Sequence, residues 1–380
     1  MKLLEYKAHE VFREYELPST EGYVASSVDE LAAIDGKLFY PVVIKAQVQT
    51  GGRGKAGGVQ FAENREELIA KGKAILEMKI KDLPVHKVFV VPRVEIKKEM
   101  YLSFTLDRKT KLPVMIFSPE GGVEINEIAE KNPDKLAKVI LPAGEELEDF
   151  TIQYAMDKTG LDGIYADQFR EVTKKLFKVF NGYDCMLAEI NPLVVDGKGY
   201  LMALDGKIDV DDNSLYRHKA IEEFRDEITD NELVLDARRY DFLYIPIRDR
   251  GNIAIISNGS GMIMSSMDLI SKRGMEVTCA LDLGGGATSD RIKEALRIVA
   301  TNERVDTIFI NIFGGITRCD EIAGGVEKAM DFISKKRLVL RLEGTNKEKG
   351  LQMIRDLGGD MELVDGLYEG VDALAEGSKV

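Results

Sequence analysis

The sequence predicts a mixed α and β region followed by a doubly wound parallel α/β sheet, and three observations lead there. From residue 252 onward, strand, glycine loop and helix alternate in three full units and a fourth begins, the grammar of a parallel sheet with helical crossovers. Before residue 210, strands, hairpins and helices mix without that alternation. Between them, residues 211–250 are polar and charged with few apolar anchors, so the boundary is expected near residue 240, giving domains 1–238 and 239–380.

Leu4, Ala8, Val11, Phe12 and Tyr15 recur at helical spacing, and Leu17-Pro18 ends that first helix. Ser27 and Glu30 form a capping box for a second, short helix. Tyr40 to Ala46 is a buried strand carrying one charge, Lys45, which requires an anionic partner. Gly51, Gly52, Gly54, Gly57 and Gly58 follow, with Arg53 and Lys55 between them, and read as a flexible basic flap whose backbone N–H groups can approach phosphate. The spacing is not that of a Walker A loop, and a glycine-rich hairpin without a ligand is the alternative. A helix over 64–78 and strands at 88–94, 100–106 and 113–117 come next, then a loop 118–124 and an amphipathic helix from about 168 to 180.

The stretch from Glu189 to Asp205 reads as a hairpin around the turn Asp196-Gly197-Lys198-Gly199. Counting outward from the turn, Asn191 and Asp205 come within about a residue of facing each other. Their oxygens can then converge on a hard cation such as magnesium, which needs only one or two protein ligands beside a nucleotide. A surface hairpin with polar ends is the simpler alternative.

In the second region the units are a strand 252–256 with loop Gly259-Ser260-Gly261 and helix 262–272, a strand 277–283 with loop 284–288 and a helix through Ile292 and Val299, and a strand 306–313 with loop Gly314-Gly315-Ile316-Thr317-Arg318 and a helix through Ile322 and Ile333. The fourth begins at Leu338. Ligands of such sheets sit at the carboxyl ends of the strands, where these glycine loops lie.

Composition narrows the function. Lys and Arg total 52 against 65 Asp and Glu, a formal charge of −13 that repels nucleic acid and anionic lipid, so any phosphate must be met locally. No apolar run is long enough to span a bilayer, and Glu5, Lys7 and Glu10 interrupt any would-be signal core, so a cytoplasmic location is expected. The three cysteines form no CxxC pattern, and only His9, His86 and His218 could serve as histidine nucleophiles. None of the three is near a glycine loop in the sequence.

Taken together, Lys45, GGRGKAGG, EINPL, LDGK, NGSG, LDLGGGAT and NIFGGITRCD occur in the order and near the spacing of the β subunits of succinyl-CoA synthetases, which the whole chain resembles. The resemblance implies an N-terminal ATP-grasp domain of two subdomains and a C-terminal flavodoxin-like domain that meets an α subunit. It implies that Lys45, Gly52, Arg53, Gly54, Val91, Val94 and Glu99 bind ATP or ADP, with GTP or GDP possible, and that Asn191 and Asp205 hold Mg2+. Asn258, Gly315, Ile316 and Thr317 would face succinate, and Glu189 would serve the catalytic phosphohistidine, which, like the CoA site, belongs to the α subunit of an αβ or α2β2 assembly. Three positions depart from familiar members: Val91 to Val94 lacks the hinge glutamate of many bacterial relatives, Gln49 replaces a common histidine, and Thr317 a more usual valine. These bear on base and acid preference, not on reaction type. The alternatives are the same mechanism on malate or citrate, and a self-sufficient ATP-grasp carboxylate ligase.

Overall fold

The computed structural model describes every residue except 124, 143, 145, 249 and 378–380, so the last residue of the loop read at 118–124 lies outside the described residues. The chain divides into two compact units, Met1–Glu223 and Phe224–Val380, a division that falls ahead of the 238/239 boundary expected from composition.

In the first unit, helix α1 (Glu5–Glu14) buries Glu5, Ala8, His9 and Phe12 along one face. Helix α2 (Val28–Ile34) is capped as expected, Ser27 Oγ accepting from Glu30 N at 3.1 Å, but the returning Glu30 carboxylate accepts from Ser26 rather than from Ser27. Strands β1 (Tyr23–Ala25), β2 (Val42–Gln47), β3 (Val59–Ala62) and β6 (Lys87–Pro92) form a sheet in the order β1-β6-β2-β3, and β4 (Lys79–Ile80) with β5 (Leu83–Pro84) makes a small ribbon. Helix α3 (Arg65–Leu76), capped by Asn64, packs against this sheet and α2. β2 lies between β3 and β6, which puts Lys45 opposite Val59 on one side and Phe89 on the other.

A second sheet in this unit runs β11-β10-β7-β8-β9, built from β7 (Ile96–Leu106), β8 (Pro113–Ser118), β9 (Ala137–Ile140), β10 (Cys185–Asp196) and β11 (Leu201–Ala203), with β12 (Gly206–Val210) also pairing β10. The expected hairpin is β10–β11, with Leu193 opposite Ala203 and Val195 opposite Leu201. Where β10 pairs β7 the register shifts between Ile190 and Leu193, so Asn191 and Pro192 fall outside that ladder. Of helices α4 (Ile125–Lys131), α5 (Asp149–Thr159) and α6 (Ala166–Gly182), α6 covers the sheet, Phe177 packing on Phe104 and Phe169 on Phe117 at ring-centroid distances of 5.1 and 4.3 Å.

Helix α7 (Lys219–Glu227) carries the chain across the division, and α8 (Glu232–Arg238) and strand β13 (Leu243–Pro246) follow in the stretch read as polar linker. The second unit is a sheet in the order β13-β15-β14-β16-β17-β18, with β14 (Ile253–Ser257), β15 (Val277–Asp282), β16 (Thr307–Gly314), β17 (Arg337–Gly344) and β18 (Met361–Leu363) parallel and β13 antiparallel at the edge. Counted by chain order, the five parallel strands run 2-1-3-4-5, the flavodoxin-like winding expected. Successive residues of β14 serve opposite faces. Ala254 and Ile256 join the core under α10 (Ser289–Thr301), α11 (Cys319–Ile333) and α12 (Lys347–Leu357), while Ile253 and Ile255 join the one under α9 (Ser260–Lys272) and α13 (Leu367–Gly377). Among the described residues no helix is long and apolar enough to cross a membrane.

Candidate functional site

The first unit carries a cleft of about 640 Å³, lined by Pro41, Val43 and Lys45 of the β2 region, Val59 and Phe61 of β3, Val91 to Ile96 from the end of β6 to the start of β7, and Leu204. Its walls are mainly aliphatic and aromatic, suited to a flat, apolar group, and its charged lining residues are Lys45, Arg93 and Glu95. Two hinge residues expected to contact nucleotide, Val91 and Val94, line it.

Lys45 finds within the chain the anionic partner that its burial requires, where the sequence alone favours phosphate. Its Nζ donates to Glu5 Oε1 at 2.7 Å and to the Leu204 carbonyl at 2.9 Å. Arg53 joins the same group: Nη1 donates to Glu5 Oε2 at 2.5 Å and to Ala46 O at 3.0 Å, and Nη2 donates to Asp205 Oδ2 at 2.8 Å. Gln47 completes it, donating to Glu5 at 3.3 Å while accepting from Tyr6 N. Burial alone would raise the Glu5 carboxyl, but the Arg53 and Lys45 charges beside it hold it well below the usual carboxylate range. His9, one turn along α1, is fully buried with neither ring nitrogen hydrogen-bonded, and burial pushes its pKa down to about 4 against the opposing pull of Glu5.

The hairpin sets Asn191 and Asp205 opposite each other. Asn191 N donates to Asp205 O at 3.2 Å and Leu204 N to Pro192 O at 3.1 Å, which continues the β10–β11 ladder to Asn191 and Asp205. The donor set of an amide oxygen and a carboxylate suits a hard divalent cation. Asn191 Oδ1 accepts from Gly122 N at 3.0 Å, and Asp205 is shared with Arg53. Glu99 lies against the same loop, since a Cβ added at Gly122 would stand 2.1 Å from its Oε2. Gly52 and Gly54 sit exposed in the turn on either side of Arg53, Gly52 with a φ of +82° that favours glycine. Glu189, half-buried on β10 opposite Ser103, accepts from the Tyr101 hydroxyl at 2.9 Å.

In the second unit the loops after β14, β15 and β16 are knitted together. Asn258 Nδ2 donates to Phe313 O at 3.1 Å and to Thr317 Oγ1 at 3.4 Å, its Oδ1 accepts from Phe313 N, and Gly286 N donates to Thr317 Oγ1 at 3.3 Å. Thr317 is thus buried and holds loops to one another, while Gly315 is open and Ile316 is 80% exposed. A Cβ at Gly344 would fall 1.9 Å from Gly314 O, so the ends of β16 and β17 approach closely enough to require glycine. The first turn of α11, behind the glycine loop that follows β16, carries Asp320 and Glu321; Arg318 and Lys349 pair with Asp320, and Glu321 accepts from Ser289.

Residues 2–195 match the ATP-grasp domain family and residues 256–367 the CoA-ligase family. The β subunit of succinate–CoA ligase (ADP-forming) from Herpetosiphon aurantiacus is 40% identical over 376 residues, covering 98% of this chain and 99% of that one. The chain belongs to the succinate–CoA ligase β-subunit family. The GDP-forming β subunit from Thermus thermophilus is also 40% identical, over 93% of each chain. ATP citrate lyase from Methanothrix soehngenii, solved with citrate and coenzyme A, shares the fold at a TM-score of 0.78 with 18% identity over 99% of both chains. Membership in this ligase family implies nucleotide use and an α-subunit partner. Glu5, Gln47 and Tyr101 escaped the reading of the sequence. The only signal for Glu5 was its place at position 5 of the 5, 8, 9, 12 face that α1 buries.

Proposed function

We propose that this chain is the nucleotide-binding β subunit of a succinate–CoA ligase, which with its α subunit interconverts succinyl-CoA, nucleoside diphosphate and phosphate with succinate, CoA and nucleoside triphosphate. The observation that supports this most is that Lys45, which lines a mainly apolar cleft, is joined through Glu5 to Arg53 and from there to Asp205, within a chain that matches such subunits over nearly its whole length. Val91 and Val94 would hold the base by packing and backbone contacts. Lys45 and Arg53 would face the phosphates, with Gly52 and Gly54 letting the flap backbone approach and Glu99 accepting from a ribose. Asn191 and Asp205 would hold Mg2+, which would offset the negative charge of the phosphates. Glu189, oriented by Tyr101, would receive and orient the partner's phosphohistidine. Gly315 and Ile316 are open for contact with succinate, with Asn258 and Thr317 shaping the loop that presents them.

The histidines of this chain support that division of labour. His9 is buried and neutral, His218 is tied to Asp184 at 2.7 Å, His86 stands exposed before β6, and none occurs in Phe224–Val380. The test is co-expression with the candidate α subunit, assayed with succinate, malate and citrate against ATP and GTP, with γ-labelled nucleotide to trace the phosphoryl group. Label is expected on an α-subunit histidine as an acid-labile, base-stable adduct. Label retained on this chain under denaturing alkaline conditions would favour a self-sufficient ligase, and turnover with malate or citrate alone would move the acid.

A further inference from the structure

The buried carboxylate that joins the two cations of the nucleotide site is assigned no role of its own in the reading above. Glu5 opens α1 with its side chain 2% exposed, and its two oxygens divide between Lys45 (Oε1) and Arg53 with Gln47 (Oε2). Four formal charges, two of each sign, are thus gathered where Lys45 and Arg53 are 9% and 12% exposed. Ion pairs buried this deeply bring little net stability, because desolvating the ions offsets their attraction, and apolar residues of similar volume serve a core as well or better. What the arrangement provides is geometry. The Arg53 fork is split: Nη1 is fixed to Glu5 and to Ala46 O at the end of β2, while Nη2 reaches Asp205, the residue read as a metal ligand. A divalent cation taken by Asp205 would compete with Nη2 for that carboxylate, and Glu5 is the group that keeps the guanidinium in place through such an exchange.

We propose that Glu5 is the positioning residue of the nucleotide site, holding Lys45 and Arg53 side by side so that the free arm of the Arg53 fork can pass from Asp205 to a nucleoside diphosphate. This rests on the functional reading above and adds to it a residue that touches neither nucleotide nor metal. Acting mainly through Arg53, Glu5 is expected to keep only the smaller part of its effect, that carried by its bond to Lys45, once Arg53 is gone, which separates positioning from mere support of the fold.

The test is calorimetric titration of ADP with magnesium onto the purified full-length chain and its variants. Glu5→Gln is expected to weaken ADP about tenfold, and the Glu5→Gln/Arg53→Gln double variant to bind no more than about threefold more weakly than Arg53→Gln alone. Losses that simply multiply in the double variant would overturn the proposal, as would unchanged affinity in Glu5→Gln. Should Glu5→Gln fail to fold, Arg53→Lys decides: it keeps the charge but cannot bridge two carboxylates, so it should lose nearly as much affinity as Arg53→Gln, and wild-type affinity would refute the split-fork arrangement. If the unsubstituted chain does not bind ADP, the functional reading falls and this proposal with it. If it binds and Glu5→Gln binds equally, only this proposal falls.

Discussion

Burial of a neutral His9 is expected to make the first unit acid-labile. Its ring is fully buried against Phe12 and Phe89 with no hydrogen bond to either nitrogen, and its pKa falls from 6.5 to about 4. A histidine whose folded pKa is depressed stays neutral in the native state while the unfolded chain takes up its proton near pH 6.5, so stability is lost as pH falls from about 6.5 to about 4. At about 1.4 kcal/mol per pH unit the full loss is roughly 3.5 kcal/mol, and roughly 2.5 kcal/mol of it has developed by about pH 4.5. Glu5 acts in the same direction but later. Its carboxyl is held low, so its contribution is present above its unfolded pKa of 4.5 and disappears as pH falls below that value. The assay is urea unfolding followed by far-UV circular dichroism at about pH 7.5 and about pH 4.5, fitting the first unit's transition on its own if the two units unfold separately. His9→Leu keeps an apolar side chain at the site and removes the titration. The pH-induced loss should then shrink by roughly 2.5 kcal/mol relative to the parent chain. Equal losses in the two proteins would refute the argument that a buried, neutral histidine carries the acid sensitivity.

Asp205→Ala should abolish magnesium-dependent phosphorylation of the partner while leaving the circular dichroism spectrum unchanged, because it removes the only charged member of the proposed metal pair and also frees Arg53 Nη2; an unaltered magnesium dependence would contradict it. Tyr101→Phe keeps a buried ring but removes the hydrogen bond to Glu189. Phosphoryl transfer to the partner should slow roughly tenfold with ADP affinity unchanged, as read by rapid-quench labelling alongside titration. Thr317→Val removes the oxygen that receives Gly286 N and Asn258 Nδ2 at 3.3 and 3.4 Å. Those bonds are long, so the second unit should lose only about 0.5–1 kcal/mol in urea unfolding, while KM for the acid changes as the loop carrying Ile316 loosens.

The winding of the second unit was legible because each of its middle strands is buried on both faces and each following helix shows a clean apolar stripe, so period and punctuation agree. The edge was not. In α8, Arg238 pairs with Asp226 and Asp236 with Arg297, so a segment that packs Leu233 and Val234 against the core looks like charged linker when its charges are counted one by one. That Asn191 and Asp205 face each other was legible for a local reason: the turn fixes the count to both. Glu5 was illegible for the opposite reason. Its partners Lys45 and Arg53 lie 40 and 48 positions away, and along α1 it looks like one of several surface acids.

The same reasoning limits what the second unit can do alone with a phosphoryl group. A helix N-terminus is worth about 0.3 to 2 kcal/mol toward an anion, and α11 begins with Asp320 and Glu321 in its first turn. Arg318 and Lys349 offset Asp320, and the Arg318 hydrogen bonds hold that carboxyl well below the usual range, so it remains charged at neutral pH. An incoming phosphoryl group therefore meets a helix end whose positive field is already partly spent on the chain's own acids. Gly315 and Ile316 supply backbone and apolar contact at that end but no cation. The charge that would hold a phosphohistidine there must then come largely from the α subunit, a requirement consistent with the lack of any histidine in Phe224–Val380 and with a division of one reaction between two chains.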